Sequence, residues 1–462
     1  MVCNNRLAVV SSAVIGMVLG MLCLSGQVMA GVTTSISVTP EGGEGYGASC
    51  YPSISADGRF VAFQSNGENI VPGTLKSAGT IYVRDRQTSR TTCLCVTPDG
   101  TPADWPSGFP SISSDGRFVA FQSEAKNLLP PGITSFGPEI FVHDRLTGKA
   151  TWVCSGSDGK PAIGGARRPC ISGDGRFVVF EVMPAQGHEQ AGALDVVFYS
   201  RQTNQRVAIP VGVKGGRSHP TRPTRFLQMS GDGRYLSFIS SIPDLLPGRT
   251  ILLPQVYLCD LRTARIWCLS DGVSGFWASE WDCPSISDDG RFVAFVAAST
   301  DKVLGRPSPQ VREVYVFDRL TSQTTCISSC YDGPASDKEI VVASLSGDGR
   351  FVAFECHPMN IGYEQESAER YIYLYDREAG QPTRIPAGPR NMYSAWCAKQ
   401  HPSLSRDGRF IAFCGLNSKN QAGQIPPGSQ VYVHDRLASP PPPRPTPAPT
   451  PTPIPRTIIN LR

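Results

Sequence analysis

Apolar residues along this chain gather into short runs separated by turn residues, and the runs recur at a near-constant interval. In the first copy Pro52-Ser53-Ile54-Ser55 reads as a short strand, Ala56-Asp57-Gly58 as a turn, and Phe60-Val61-Ala62-Phe63 as the start of a second strand. Asp-Gly between apolar runs predicts a hairpin, because Gly takes positive φ without steric cost and Asp can accept hydrogen bonds from the turn backbone. A third strand follows at Ile81-Tyr82-Val83-Arg84-Asp85-Arg86 and a fourth over 91–97. The second strand does not alternate: Phe118-Val119-Ala120-Phe121 and Phe292-Val293-Ala294-Phe295 repeat a run that is apolar on both faces. Such strands need cover on both sides, which blades packed face to face around an axis supply.

The motif's Asp stands at Asp57, Asp115, Asp174, Asp232, Asp289, Asp348 and Asp407, every 57 to 59 residues. Seven copies of a four-stranded unit predict an all-β, seven-bladed β-propeller over 31–438. The fourth copy is the least regular, with Met229-Ser230-Gly231-Asp232-Gly233-Arg234-Tyr235, but it keeps a third strand at Val256-Tyr257-Leu258-Cys259-Asp260. The seventh runs through Val431-Tyr432-Val433-His434-Asp435-Arg436 and then meets proline, so a fourth strand is missing there. Thr33-Thr34-Ser35-Ile36-Ser37-Val38-Thr39-Pro40-Glu41-Gly42 matches the segment at 91–100, one repeat later. The N-terminal segment therefore reads as a displaced fourth strand that closes the ring on the last blade and covers its edge.

Pro-Ser-Ile-Ser-x-Asp-Gly-Arg-Phe-Val-Ala-Phe followed by Val-Tyr-Val-x-Asp-Arg resembles the WD40-like (PD40) repeat of TolB-like propellers, over 33–437. The resemblance implies the propeller fold. It implies no single activity, since that family includes binding scaffolds, accessory domains of peptidases and a few lyases. TolB's separate N-terminal α/β domain has no counterpart in this sequence, which speaks against a Tol-system role.

Composition adds compartment and partners. Forty-six Gly and 40 Pro suit a fold with many tight turns. The net charge of +4 is spread along the chain rather than gathered into a stripe, which argues against a nucleic-acid partner. Residues 1–30 carry Arg6, an apolar run over 7–24 and small residues at Val28 and Ala30, the pattern of a cleaved signal peptide. An uncleaved anchor is the alternative; no later stretch is apolar enough to span a membrane. The expected location is therefore secreted, periplasmic or cell-surface, with the chain a monomer. Residues 439–462 form a Pro/Thr-rich tail, read as a disordered, extended spacer. Cysteines in an oxidising compartment allow disulfides such as Cys154 with Cys170 or Cys268 with Cys283, beside the reading of small buried hydrophobes.

Turns between strands one and two and between three and four stay nearly constant, as Ser-x-Asp-Gly-Arg and Asp-Arg-x-Thr, whereas the other connectors vary. Function on a repeat scaffold is expected on the varying face. The recurring Asp and Arg read as turn formers and interstrand pairs, and His143 and His434 as strand surface residues. On the varying face Trp105, Trp277, Trp281, Trp396 and Tyr393, together with Tyr46 and Phe109, are candidates for stacking on sugars or anchoring a protein. Arg167 and Arg168 would favour an acidic partner, and His219, Asp282 and His401 are groups a catalytic site would draw on. The residues point to a binding or scaffold module for a protein or glycan partner of the envelope or extracellular space. No catalytic residue, metal or cofactor is assigned: calcium-loop, Cys-x-x-Cys and Gly-x-Ser-x-Gly patterns do not occur. The alternative is a polysaccharide lyase or hydrolase acting at the axial pocket.

Overall fold

The computed structural model describes residues 31–74, 79–153, 161, 165–182, 195–209, 224–242, 245–246, 248, 254–270, 283–299, 311–328, 338–358, 371–386, 402–416 and 429–439. Within them 28 strands, β1 to β28 in chain order, form seven four-stranded antiparallel sheets, a seven-bladed β-propeller; the described residues contain no helix. Blade one shows the plan, with β2 (Ser49–Ile54), β3 (Phe60–Ser65), β4 (Thr80–Asp85) and β5 (Arg90–Cys93) side by side in chain order. Its Asp-Gly turn forms as the residue types require. Gly58 has φ 72°, Asp57 Oδ1 accepts from Ser55 Oγ at 2.6 Å and Arg59 N–H at 2.9 Å, and Ser55 Oγ accepts from Phe60 N–H at 2.9 Å.

The runs that are apolar on both faces are the core. Val61, Ala62 and Phe63 are fully buried, and Phe63 stacks on Tyr82 at 5.7 Å within its blade. Phe121 with Phe141, Phe238 with Tyr257 and Phe413 with Tyr432 repeat that pair around the ring. Burying one such ring contributes about 1.5–3 kcal/mol.

Neighbouring blades lock through the same motif. A Cβ on Gly58 would lie 2.0 Å from the Phe410 ring of blade seven, and one on Gly116 would lie 2.2 Å from Phe60 of blade one, so only glycine lets each ring seat against the next turn. A guanidinium covers each seated ring: Arg86 Cζ stands 4.5 Å from the Phe410 centroid and Arg145 Cζ 3.9 Å from that of Phe60. Arg86 also donates to the Gly58 carbonyl at 2.7 Å. Within the blade, Arg59 grips Asp85 through two bonds of 3.0 and 2.8 Å, which holds the Asp85 carboxyl down at about 2. Two blades depart from this plan. Ser200 stands where the other blades have Asp, and Arg176 turns back to Asp174 at 2.6 Å. In blade four Leu261 replaces the ring-covering Arg and packs in the apolar cluster that contains Phe177.

Two expectations need correction. His143 and His434 are 5% and 0% exposed, not surface residues, because the third strand is covered by a neighbouring blade on each face. Burial holds His143 down at about 4, hence neutral near pH 7. Cys283 is a free thiol, so the expected bridge between it and Cys268 is absent; Cys170 is also free and Cys154 lies outside the described residues.

At the chain ends, β1 (Val32–Ser35) lies antiparallel to β28 (Ser429–Asp435), with Val32 opposite Asp435 and Ser35 opposite Tyr432. β27 (Phe410–Leu416) and β26 (Ser403–Leu404) complete that sheet. Ile36 N–H donates to the Val431 carbonyl at 2.8 Å, and Ile36 and Val38 are buried. Thr39 N–H then meets the Gly43 carbonyl at 2.7 Å, as Thr97 N–H meets that of Thr101 at 2.8 Å, so the segment folds as its counterpart one repeat later does.

Candidate functional site at the axial mouth

The innermost strand of every blade lines the axis. Where these strands begin, next to the varying connectors, β2, β6 (Ser107–Ile112), β10 (Ala166–Ile171) and β14 (Arg225–Met229) share one bulge, and β22 (Lys338–Leu345) carries a different one between Ile340 and Val342. The bulged residues Tyr51, Phe109, Arg168 and Phe226 have φ of 52°, 54°, 49° and 59°. Bulky side chains rarely occupy this left-handed region, at a cost of about 1–2 kcal/mol each. The preceding blade holds three of them in place. Phe109 N–H donates to Gln64 Oε1 at 3.4 Å, Arg168 N–H to Gln122 Oε1 at 3.0 Å, and Phe226 N–H to Glu181 Oε1 at 3.0 Å.

The bulges aim their side chains into a cavity of about 220 Å3 at the mouth of the axial channel. Tyr51 and Phe109 lie ring to ring at 4.6 Å. Arg168 Cζ stands 5.8 Å from the Phe109 centroid and 4.9 Å from that of Phe226, so the guanidinium bridges two aromatic rings. Behind it Glu181, 3% exposed, lies 3.7 Å from Arg168 Nη1. Burial raises the Glu181 carboxyl above its usual range, opposed by Arg168, Arg225 and Arg167.

Below this collar runs a ring of hydroxyls. Ser53, Ser111, Ser285 and Ser403 accept the backbone N–H of Ile112, Ile171, Leu345 and Ile54 in the following blade at 3.1, 3.1, 2.9 and 3.2 Å. Blades three and four break the ring with Cys170 and Gln228; Gln228 Oε1 accepts from Cys170 Sγ at 3.6 Å, and its Nε2 donates to Cys283 Sγ at 3.5 Å. Burial pushes the Cys170 and Cys283 thiols up to about 11 and about 12, so neither is a thiolate near pH 7.

At the far end of the channel backbone bonds tie neighbouring blades together. Ala56 N–H reaches the Ser114 carbonyl at 2.9 Å, Ser114 N–H that of Gly173 at 2.8 Å, and Arg406 N–H that of Ala56 at 3.0 Å, joining blades around the axis. Arg406 Nε pairs with Asp288 Oδ2 at 3.2 Å. A Cβ on Gly347 would lie 2.7 Å from Asp288, so the glycine makes room for that pair.

The structure brings two sequence candidates, Phe109 and Arg168, into the axial mouth. Arg167 is exposed on the same strand, outside the cavity lining, and Trp105 is 55% exposed on a connector away from it. Trp277, Trp281, Trp396, Tyr393, His219, Asp282 and His401 lie outside the described residues. Tyr51, Phe226, Gln228 and Cys283 were missed. For Tyr51, Phe226 and Cys283 the signal is positional: the residue six places before the motif Asp changes from blade to blade, while Pro follows it in Tyr51-Pro52, Phe109-Pro110, Arg168-Pro169, Cys283-Pro284 and His401-Pro402.

Neither a family model nor a curated protein matches the chain. Among solved structures it is similar to TolB from Acinetobacter baumannii, at 16% identity over 75% of this chain and 65% of that one, with a TM-score of 0.39. It is similar to an acylaminoacyl peptidase from Pyrococcus horikoshii at 14% identity, covering 84% of this chain and 51% of that one, TM-score 0.48. A third is the β-propeller domain of Myceliophteria thermophila Cps50 (Swd1), at 13% identity, 87% and 99% coverage and TM-score 0.46. The chain thus spans just under two thirds of the TolB and half of the peptidase. The likeness is one of propeller architecture, for which the seven sheets above are the direct observation.

Proposed function

We propose that the chain is an extracytoplasmic binding or scaffold module that recognises a protein or glycan partner through its varying face, centred on the axial mouth. Residues 1–30 act as a cleaved leader and 439–462 as a spacer behind a monomeric propeller. One observation carries the reading: Tyr51, Phe109, Arg168 and Phe226 are held in left-handed backbone around one open cavity. Strain repeated in four blades at a cavity rim marks residues held in place for a site; Tyr51, Phe109 and Arg168 are half-buried at that rim, while Phe226 also packs in the core behind it. Trp105 and Tyr46, both about half exposed on connectors, extend apolar surface beyond the rim.

The test is a screen of the purified full chain against glycan arrays and purified envelope or extracellular proteins. A true partner should lose about tenfold or more in affinity with Phe109→Ala and less with Trp105→Ala, while Leu320→Asn, on an exposed constant-face turn, leaves it unchanged. Equal loss from both faces, or a partner insensitive to every varying-face change, would refute the reading.

A further inference from the structure

We infer that the axial mouth is a carboxylate-receiving well, taking the charged head of a small organic acid whose apolar body lies in the aromatic collar. The inference rests on the binding reading above and specifies the chemistry of its central cavity.

Arg168 is the first observation. Its guanidinium carries five N–H donors, yet its contacts among the described residues are two aromatic faces and one carboxylate at 3.7 Å, with no side-chain hydrogen bond. The Glu181 oxygen nearest the backbone already accepts from Phe226 N–H. The side chain is 27% exposed at the cavity. It is thus held in place by stacking, with donors left for a planar acceptor. Arg167 and Arg225 stand close enough to act on Glu181 as Arg168 does, so three arginines surround one buried carboxylate and the mouth keeps a positive potential.

The hydroxyl ring is the second, independent observation. Ser53, Ser111, Ser285 and Ser403 each use an oxygen lone pair to accept a backbone N–H. A hydroxyl that accepts in this way still has its own proton to donate. Ser111 stands within hydrogen-bond reach of the Cys170 sulfur, whereas no described residue accepts from Ser53, Ser285 or Ser403, and all four serines line the cavity. The floor therefore offers O–H donors and the collar N–H donors, a setting that suits an acceptor-only group such as carboxylate. Above the floor the walls are apolar, from Tyr51, Phe109, Phe226 and Val342 to Pro52 and Pro110. The Asp288 and Arg406 pair lies at the other end of the channel, away from these donors.

The test titrates the full chain with 3-phenylpropanoate and with its neutral amide, 3-phenylpropanamide, by calorimetry or ligand-observed NMR at low and raised salt. The acid should bind at least about tenfold more tightly than the amide, and the preference should shrink as salt rises. Arg168→Gln should abolish the preference, and Arg168→Lys, which keeps charge but loses the planar fork, should retain part of it. Equal binding of acid and amide, a preference that survives Arg168→Gln, or no saturable acid binding up to about 10 mM would overturn the well. If Arg168→Gln does not fold, the wild-type comparison decides alone. Loss of the well with partner binding intact refutes this inference and leaves the module reading standing; an acid preference without any macromolecular partner refutes the module reading and leaves the well.

Discussion

On the constant face the blades agree residue by residue, apart from Ser200 in blade three and Leu261 in blade four: a Gly at positive φ, a Phe or Tyr seated against it, an Arg over that ring and an Arg–Asp pair beside it. At the mouth the same inner strands disagree, and one position holds Tyr51, Phe109, Arg168, Phe226, Cys283 and Val342 in turn. The difference follows from what each residue touches. A constant-face side chain is wedged between two blades, so a change is felt by both and the ring accepts few alternatives. A mouth side chain faces the lumen and needs only its backbone held, which Gln64, Gln122 and Glu181 do from the preceding blade.

The comparison breaks most severely if the scaffold is opened. Deleting 32–39 removes β1 with the buried Ile36 and Val38 and bares the edge of β28, and should cost on the order of 5 kcal/mol or more. Thermal melts with light scattering should show a large fall in Tm with aggregation; an unchanged melt would mean that β1 contributes little to the ring.

Two glycines separate the faces. Gly58→Val places atoms inside the Phe410 ring and adds strain at φ 72°, with an expected loss of about 3–5 kcal/mol. Gly132→Ala, at φ 81° with nothing within 4 Å, should cost only about 1 kcal/mol. Urea denaturation of both variants measures the gap, and equal losses would show that turn strain alone, not interblade contact, sets the glycine requirement.

His143 gives a pH test of the covered third strand. Burial lowers its folded value to about 4 from 6.5, so the unfolded chain binds the proton first. Stability should therefore fall as pH drops from about 6.5 to about 4, by about 3 kcal/mol in total from this residue, and change no further below that. His143→Phe, matching Phe317 at the equivalent position of blade five, should remove that component from the stability profile. A profile that keeps its slope in the variant would assign the loss to other groups.

Smaller effects come from the ring-covering arginines. Arg86→Ala loses its cover of Phe410 and its bond to the Gly58 carbonyl, about 1–2 kcal/mol, without touching the mouth. Ser200→Asp should restore in blade three the partner that Arg176 lacks, with a gain of at most about 1 kcal/mol. Chemical denaturation resolves both signs, and a destabilising Ser200→Asp would show that blade three has settled into a different arrangement.

Blade number, turn positions and the core runs were legible because each depends on residues close in sequence. Asp57-Gly58 closes its hairpin wherever it occurs, and Phe60 to Phe63 cannot face water on either side. The match of the Thr33 segment to the one at 91–100 was legible for the same reason, since a repeated strand repeats its residue types. The burial of His143 was not, because alternation along one strand does not reveal that both sheet faces are covered. Nor was the absence of a bridge from Cys283 to Cys268, since nearness along the repeat does not supply the geometry a disulfide requires.

By itself, then, the sequence determined a ring of seven blades and which of its faces could vary, since hairpin turns and strand periodicity act over a few residues. Only the tertiary structure decided which side chains meet at the axis. Phe109, Arg168 and Phe226 are about sixty residues apart from one to the next, and no local rule relates them. They converge because closing the ring brings every inner strand to one line, and because bulges there turn their side chains toward it.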